Sequence, residues 1–219
     1  ESVFKKFTPR ASVSFKPTSD HNLYASYSKG FKGGGFDPRG VGANAPAAIP
    51  GAPTNAEVAD FLSFEPESVD SYEIGYKGAL LDRRLTVALA AFRADYKNVQ
   101  IPGSVGCTVA GLPTFCGVVS NAGRARFQGF EAEANARFGG GFNLSGTMGY
   151  IDAKYKEYIT NVTIGGVATP TDVAAFRKVQ NTPKWTASVT PSYTAQLANG
   201  GRIDASATWS YRSKTYQFE

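Results

Sequence analysis

The chain has 219 residues, a net charge of +5, 13% aromatic residues and 24 glycines. Its longest apolar run, Val87 to Phe92, falls far short of the ~18 residues that mark a membrane-spanning helix, so a helical crossing is excluded. The aromatic content argues against disorder, and the Lys and Arg are scattered over alternating segments with no basic helix, which argues against nucleic-acid binding.

In chain order the pattern predicts eight strands: about Thr8 to Pro17, Asn22 to Phe31, Glu67 to Leu80, Leu85 to Ile101, Val118 to Phe138, Phe142 to Tyr155, Pro183 to Gln196 and Arg202 to Lys214. The last two show the rule most clearly. Trp185, Ala187, Val189, Pro191 and Tyr193 alternate with Lys184, Thr186, Ser188, Thr190 and Ser192, and Ile203, Ala205, Ala207, Trp209 and Tyr211 alternate with polar residues. Successive side chains on a strand point to opposite faces, so each strand has one apolar and one polar side. A soluble sandwich would alternate too, but these segments reach the ~9–11 residues a tilted strand needs to cross a bilayer. The fold class expected is therefore all-β, an antiparallel transmembrane barrel.

The connections fall into two classes. Thr18 to His21, Leu81 to Arg84, Gly139 to Gly141 and Leu197 to Gly201 are short and rich in turn formers; Lys32 to Pro66, Pro102 to Gly117 and Lys156 to Thr182 are long. Outer-membrane barrels place short turns in the periplasm and long loops outside. That sidedness puts both chain ends on the outer side, as expected of an internal portion of a larger barrel.

Strand phase assigns faces. Tyr72, Ile74, Tyr76 and Leu80 point to lipid and Glu73 and Lys77 to the lumen; Ala132, Ala134, Ala136 and Phe138 point to lipid and Glu131, Glu133 and Arg137 to the lumen. Between Leu85 and Gln100 apolar residues occupy both phases; Phe92, Ala94 and Tyr96 are assigned outward, leaving Arg93, Asp95 and Lys97 inward. Pro191, without a ladder donor, predicts a bulge. Tyr27, Tyr72, Tyr96, Trp185 and Trp209 form an outer aromatic girdle, and Phe138, Phe142 and Tyr193 an inner one.

In the loops, Gly33 to Gly35 lack the Lys-Ser/Thr ending of a phosphate-cradling loop and read as a strand end. Cys107 and Cys116 share the second long loop, with no His near in sequence, which favours a local disulfide over a metal site. Thr171 to Lys178 fits a short amphipathic helix, with Val173 and Phe176 tucked against the loop. His21, the one histidine, sits in a short turn, so no Ser/His arrangement for hydrolysis is available and no enzyme or cofactor is expected.

The stretches YASYSKGFKGGGFDPRG (Tyr24 to Gly40) and FEPESVDSYEIGYKG (Phe64 to Gly78), with AAFRADYKNVQ from Ala90, NAGRARFQGFEAEANARF from Asn121 and NTPKWTASVTPSYT from Asn181, closely resemble the barrel of TonB-dependent outer-membrane receptors, most nearly those for iron complexes. The resemblance runs over nearly the whole chain. It implies a barrel of roughly 22 strands with a plugged lumen, of which residues 1–219 are one part without the plug. It also implies import of a scarce nutrient, foremost a ferric siderophore, energised through TonB by way of the N-terminal region that this stretch lacks.

Many cations fall at outer strand ends or in outer loops. As a cargo site they would form an electropositive mouth for anionic chelates, with Arg39, Arg93, Arg124, Arg126 and Arg212 as candidates; the competing reading is contact with lipopolysaccharide phosphates or with solvent. The other partners expected are outer-membrane lipid and the iron chelate itself. The alternatives weighed are a passive channel or a small closed eight-stranded barrel, and, less compatible with the strand lengths, a soluble adhesin sandwich.

Overall fold

The computed structural model describes residues 3–45, 49–109, 111–121, 123–164 and 167–217. Its strands are β1 (Arg10–Thr18), β2 (His21–Lys32), β3 (Gly35–Phe36), β4 (Ser63–Phe64), β5 (Glu67–Leu80), β6 (Leu85–Lys97), β7 (Gln100–Val109), β8 (Leu112–Asn121), β9 (Gly123–Gly139), β10 (Phe142–Ile164), β11 (Val167–Asp172), β12 (Trp185–Gln196), β13 (Arg202–Ser206) and β14 (Trp209–Arg212). Among the described residues the first long loop holds a 3-10 turn at Gly42–Asn44 and an α-helix, α1 (Asn55–Leu62), opened by a capping box in which Thr54 and Glu57 satisfy each other's backbone N–H groups.

The main sheet runs β1-β2-β5-β6-β9-β10-β12-β13, with β14 continuing beside β12 and β11 folded back on β10. All pairings are antiparallel, and the strands of the main path follow one another in chain order with the loop strands β3, β4, β7 and β8 left out of it, the meander expected of barrel wall. The sheet is open, with β1 and β13 at its two edges, rather than a closed barrel. Short turns have their chemistry in place: Gly139, Gly140 and Gly141 all adopt positive φ, which a side chain would strain.

Register carries facing from strand to strand, because directly paired residues point the same way. Leu23 pairs with Tyr76, Tyr76 with Leu89, Leu89 with Ala132, Ala132 with Met148, and Met148 with Ala187. That row is apolar from end to end. The opposite face carries Asn22, Lys77, Ala88, Glu133, Thr147 and Ser188 in the same succession. One face suits lipid and the other water, and no residue of the row is out of character.

β6 departs from expectation. Glu73 pairs with Phe92 and Ser71 with Ala94, so Phe92, Ala94 and Tyr96 lie on the polar face, whereas Arg93 pairs with Tyr72 and shares the face of Ile74 and Leu89. The assignment made from the sequence is reversed. Leu85, Val87, Leu89 and Ala91 hold the lipid phase, and Ala88 and Ala90 are merely small lumen residues, so hydropathy alone could not separate the two sets.

Other boundaries shift for local reasons. The strands expected as Leu85 to Ile101 and Val118 to Phe138 each break where they leave the wall, at Asn98 (φ 53°) and Gly123 (φ 106°), and β7 and β8 continue as a separate hairpin. Pro191 makes no bulge. Register is unchanged on either side of it, Ser192 with Ser206 and Val189 with Trp209, and the irregularity falls on the neighbour, where β13 stops at Ser206 and β14 begins at Trp209. The Ala207 N–H still donates to the Pro191 carbonyl at 3.2 Å, but the proline has no N–H to return, so the ladder lapses there. Thr171 to Lys178 forms no helix: β11 occupies Thr171 and Asp172, the Asp172 carboxylate accepts from the Ala174 and Tyr158 N–H groups, and Phe176 is 84% exposed.

Candidate functional site at the outer rim

At the outer rim the first long loop is stitched to the base of the β7–β8 hairpin by the side-chain amides of Gln100 and Asn121. Gln100, 8% exposed, donates from its side-chain amide to the Gly33 and Glu65 carbonyls (2.9 and 3.0 Å), and its backbone N–H donates to the Glu67 carboxylate (2.8 Å). Asn121 donates to the Glu65 and Asn98 carbonyls and accepts from the Glu65 N–H at 2.7 Å. Both ends of the loop are thus held on one platform.

Asp37, 3% exposed, takes a forked pair of hydrogen bonds from the Arg39 guanidinium (3.0 and 2.9 Å) and a third from the Arg39 N–H, the Asx-turn geometry favoured by Asp-Pro. The guanidinium holds the Asp37 carboxyl below its ordinary range, against the opposing effect of burial. Arg39 lies along β8 at Gly117, where an added Cβ would stand 2.5 Å from the Arg39 Cβ. Cys107 and Cys116 are bonded to each other across the hairpin. Residues 98–123 contain no charged side chain, so every ionic contact of this rim comes from the strands and loops around them.

The five candidate arginines separate. Arg39 belongs to the loop platform. Arg212 pairs with Thr186, on the polar face. Arg93, Arg124 and Arg126 do not join them: Arg126 pairs with Asp95, Arg124 with Lys97 and Arg93 with Gln128, all on the phase that lower down carries Leu89 and Ala132. There they form a belt of ion pairs above Tyr27 and Tyr72. Asp95 bridges Arg93 (2.8 Å) and Arg126 (2.6 Å), Asp70 lies between Lys29 (3.8 Å) and Lys97 (3.6 Å) and accepts from the Tyr27 hydroxyl (2.8 Å), and Arg124 pairs with Glu157 (2.9 Å).

Below the belt the lipid face is ringed by aromatics. Tyr150 and Trp185 stand 4.7 Å apart between ring centres, with Phe130 5.7 Å from Tyr150, and Tyr27 lies 5.2 Å from Tyr72. At the other end Phe138 and Phe142 meet at 5.6 Å, and Phe142 pairs with Tyr193. Tyr96 is not in the outer ring; it packs against Phe127 on the other face. Sequence reasoning missed Gln100 and Asn121, whose roles depend on long-range contacts, and Asp37, which the Asp-Pro-Arg turn signal could have revealed.

An antiparallel wall with one lipid face, one polar face, two aromatic girdles, short turns at one end and elaborate loops at the other is the architecture of an outer-membrane β-barrel. The chain belongs to the TonB-dependent receptor β-barrel family, whose model matches residues 1–219. Among curated proteins it is 30% identical over 187 residues to the metal-pseudopaline receptor CntO of Pseudomonas aeruginosa, covering 85% of this chain and 20% of that protein. It is 26% identical over 188 residues to the probable TonB-dependent siderophore receptor PiuA of Acinetobacter baumannii, covering 85% of this chain and 22% of that one. The crystal structure of the Acinetobacter baumannii siderophore receptor PiuA superposes with a TM-score of 0.57 at 25% identity, over 92% of this chain and 25% of that one. The chain therefore spans about a fifth of the length of the curated relatives it matches, and it is outer-membrane barrel wall.

Proposed function

We propose that the protein containing this chain is an outer-membrane import receptor for a metal chelate, foremost a ferric siderophore, that draws its energy through TonB. Membership of the receptor family carries the reading, and the two relatives above, a metal-pseudopaline receptor and a probable TonB-dependent siderophore receptor, support the cargo class. The activity is transport, not catalysis. The chain supplies lipid-facing wall and three outer loops.

Within that reading Arg212 is the cation of the five best placed to meet cargo, because it stands on the polar face at the outer end of β14. Arg39 acts by holding the first loop in place, since its charge is matched by Asp37. Arg93, Arg124 and Arg126 face the surrounding membrane, where outer-membrane lipid and lipopolysaccharide are the partners. The test is uptake of radiolabelled iron supplied as a panel of ferric chelates, in cells expressing the full-length protein as sole receptor, with and without TonB. TonB-dependent uptake of one or more chelates is expected; uptake indifferent to TonB would overturn the proposal.

A further inference from the structure

We infer that the outer end of the polar face, where β12 and β14 meet the third long loop, holds a carboxylate-binding pocket, and that the imported chelate carries an aliphatic carboxylate arm that fits it. The inference rests on the import-receptor reading above and narrows its cargo class.

Register brings the cations together. Thr186 pairs with Arg212, and the Ser213 N–H donates to the Trp185 carbonyl at 2.9 Å, so the same register sets Lys184 opposite Lys214 on the polar face. That rung lies two residues, ~7 Å, outward of Arg212. On the other side of Lys184 stands Ile151, whose N–H donates to the Lys184 carbonyl at 3.0 Å. Like charges directly opposite one another destabilise a sheet. An anion seated between the two ammonium groups turns that repulsion into two attractions.

A cavity of about 360 Å³ opens at this rung. Lys178, Lys184 and Lys214 line it together with Ile151, Ala153 and Val179, and no carboxylate is among its lining residues. Small-molecule sites run from ~300 to ~1,000 Å³, so this one takes a single arm of a chelate rather than the whole. The Asn181 N–H donates to the Tyr216 carbonyl at 2.8 Å, which ties the third loop to the segment after β14 and closes one side. The two rings at the cavity already have partners: Trp185 packs on Tyr150 at 4.7 Å between ring centres, and the Lys214 ammonium lies 5.9 Å from the centre of the Tyr216 ring. That cation–π contact positions the ammonium. What the cavity offers an incoming arm is an aliphatic floor beneath compact ammonium charges with three donors each. Such a lining suits a carboxylate on a short aliphatic arm better than an aromatic ring, which would need a face to stack on.

The experiment uses the full-length receptor purified in neutral detergent, with three iron chelates as probes: ferric citrate, whose arms are aliphatic carboxylates; ferric enterobactin, anionic with catecholate arms; and ferrioxamine E, a neutral cyclic trihydroxamate. Binding is read by isothermal titration calorimetry. Ferric citrate is expected to bind, and K184Q/K214Q to weaken it about tenfold or more, as loss of two charge-assisted contacts implies, while K184R/K214R keeps most of the affinity. K214Q alone, on the exposed segment after β14, should weaken it roughly threefold or more and carries the test if the double variant does not fold. No binding of ferric citrate, indifference to both K184Q/K214Q and K214Q, or either of the other chelates binding as tightly as ferric citrate would overturn the inference. The uptake panel above keeps the two readings apart. TonB-dependent uptake of ferrioxamine E or ferric enterobactin without binding of ferric citrate sinks only the carboxylate pocket; ferric citrate bound through Lys184 and Lys214 with no TonB-dependent uptake sinks only the import reading.

Discussion

Placing a lysine on each of two adjacent residues of β6 tests the facing of the whole sheet, because Val87 and Ala88 differ only in phase. Val87 pairs with Ala134, and Ala134 with Gly146, on the lipid face; Ala88 pairs with Lys77 and Glu133 on the other. On β9, Phe130 and Phe138 mark the two aromatic girdles, and Ala134 lies midway between them. Eight residues span ~27 Å along the strand, or ~21 Å along the normal at a tilt of ~40°, close to the ~25 Å apolar band of such barrels. Val87 is thus at the bilayer midplane. V87K should cost ~2–4 kcal/mol, which at ~1.4 kcal/mol per decade is a roughly 30- to 1,000-fold fall in the folding equilibrium. A88K, beside Glu133 in the lumen, should cost under ~1 kcal/mol. The assay is urea-dependent folding of the full-length receptor into phospholipid vesicles, scored by heat-modifiable electrophoretic mobility. If A88K proves the more damaging of the pair, the reversed facing of β6 is wrong, and with it the outward placement of Arg93, Arg124 and Arg126.

Further outcomes follow from the rim. C107S/C116S should loosen the β7–β8 hairpin by ~2–3 kcal/mol through the lost loop constraint, seen as faster chymotrypsin cleavage after the exposed Phe115 on intact cells, with the barrel's melting temperature unchanged. Q100A leaves the Gly33 carbonyl without its side-chain donor, while the Glu65 carbonyl keeps Asn121, and should destabilise the loop platform by ~1–3 kcal/mol, measured as faster hydrogen exchange at residues 33–45. The Asp37 carboxyl titrates lower in the folded loop than in a free chain, so its ion pair contributes fully above the unfolded value of ~3.9 and fades as pH falls through the lower folded value. Hydrogen exchange corrected for its intrinsic pH dependence should therefore accelerate around Asp37 only below about pH 4, and D37N should remove that pH dependence.

The wall was readable in the sequence because a bilayer enforces alternation: Trp185 to Tyr193 and Ala132 to Phe138 each have one face that must be apolar, and register then fixes the rest. That enforcement ends at the membrane surface. Above it Arg93, Asp95 and Arg126 occupy the outward phase without penalty, and a rule that charges point inward misplaces them. It also weakens where lumen residues are small, as at Ala88 and Ala90. The β7–β8 hairpin, the Gln100 and Asn121 bridges and the fate of Thr171 to Lys178 depend on partners distant in sequence, and local periodicity carries no information about those. Pro191 was recognised as an irregularity, but its effect is felt by the strand it cannot donate to.

The absence of charge between Lys97 and Arg124 has a practical corollary for work on whole cells. Trypsin cuts only after lysine and arginine, so the hairpin that projects from the rim contains no tryptic site along residues 98–123. Enzymatic shaving of the bacterial surface would leave that segment as a single disulfide-looped peptide ending at Arg124, whatever happens to the lysine- and arginine-bearing loops beside it. The stretch is therefore a natural mass-spectrometric tag for the receptor on the cell surface, with a mass that reports directly whether the cysteine bridge is closed.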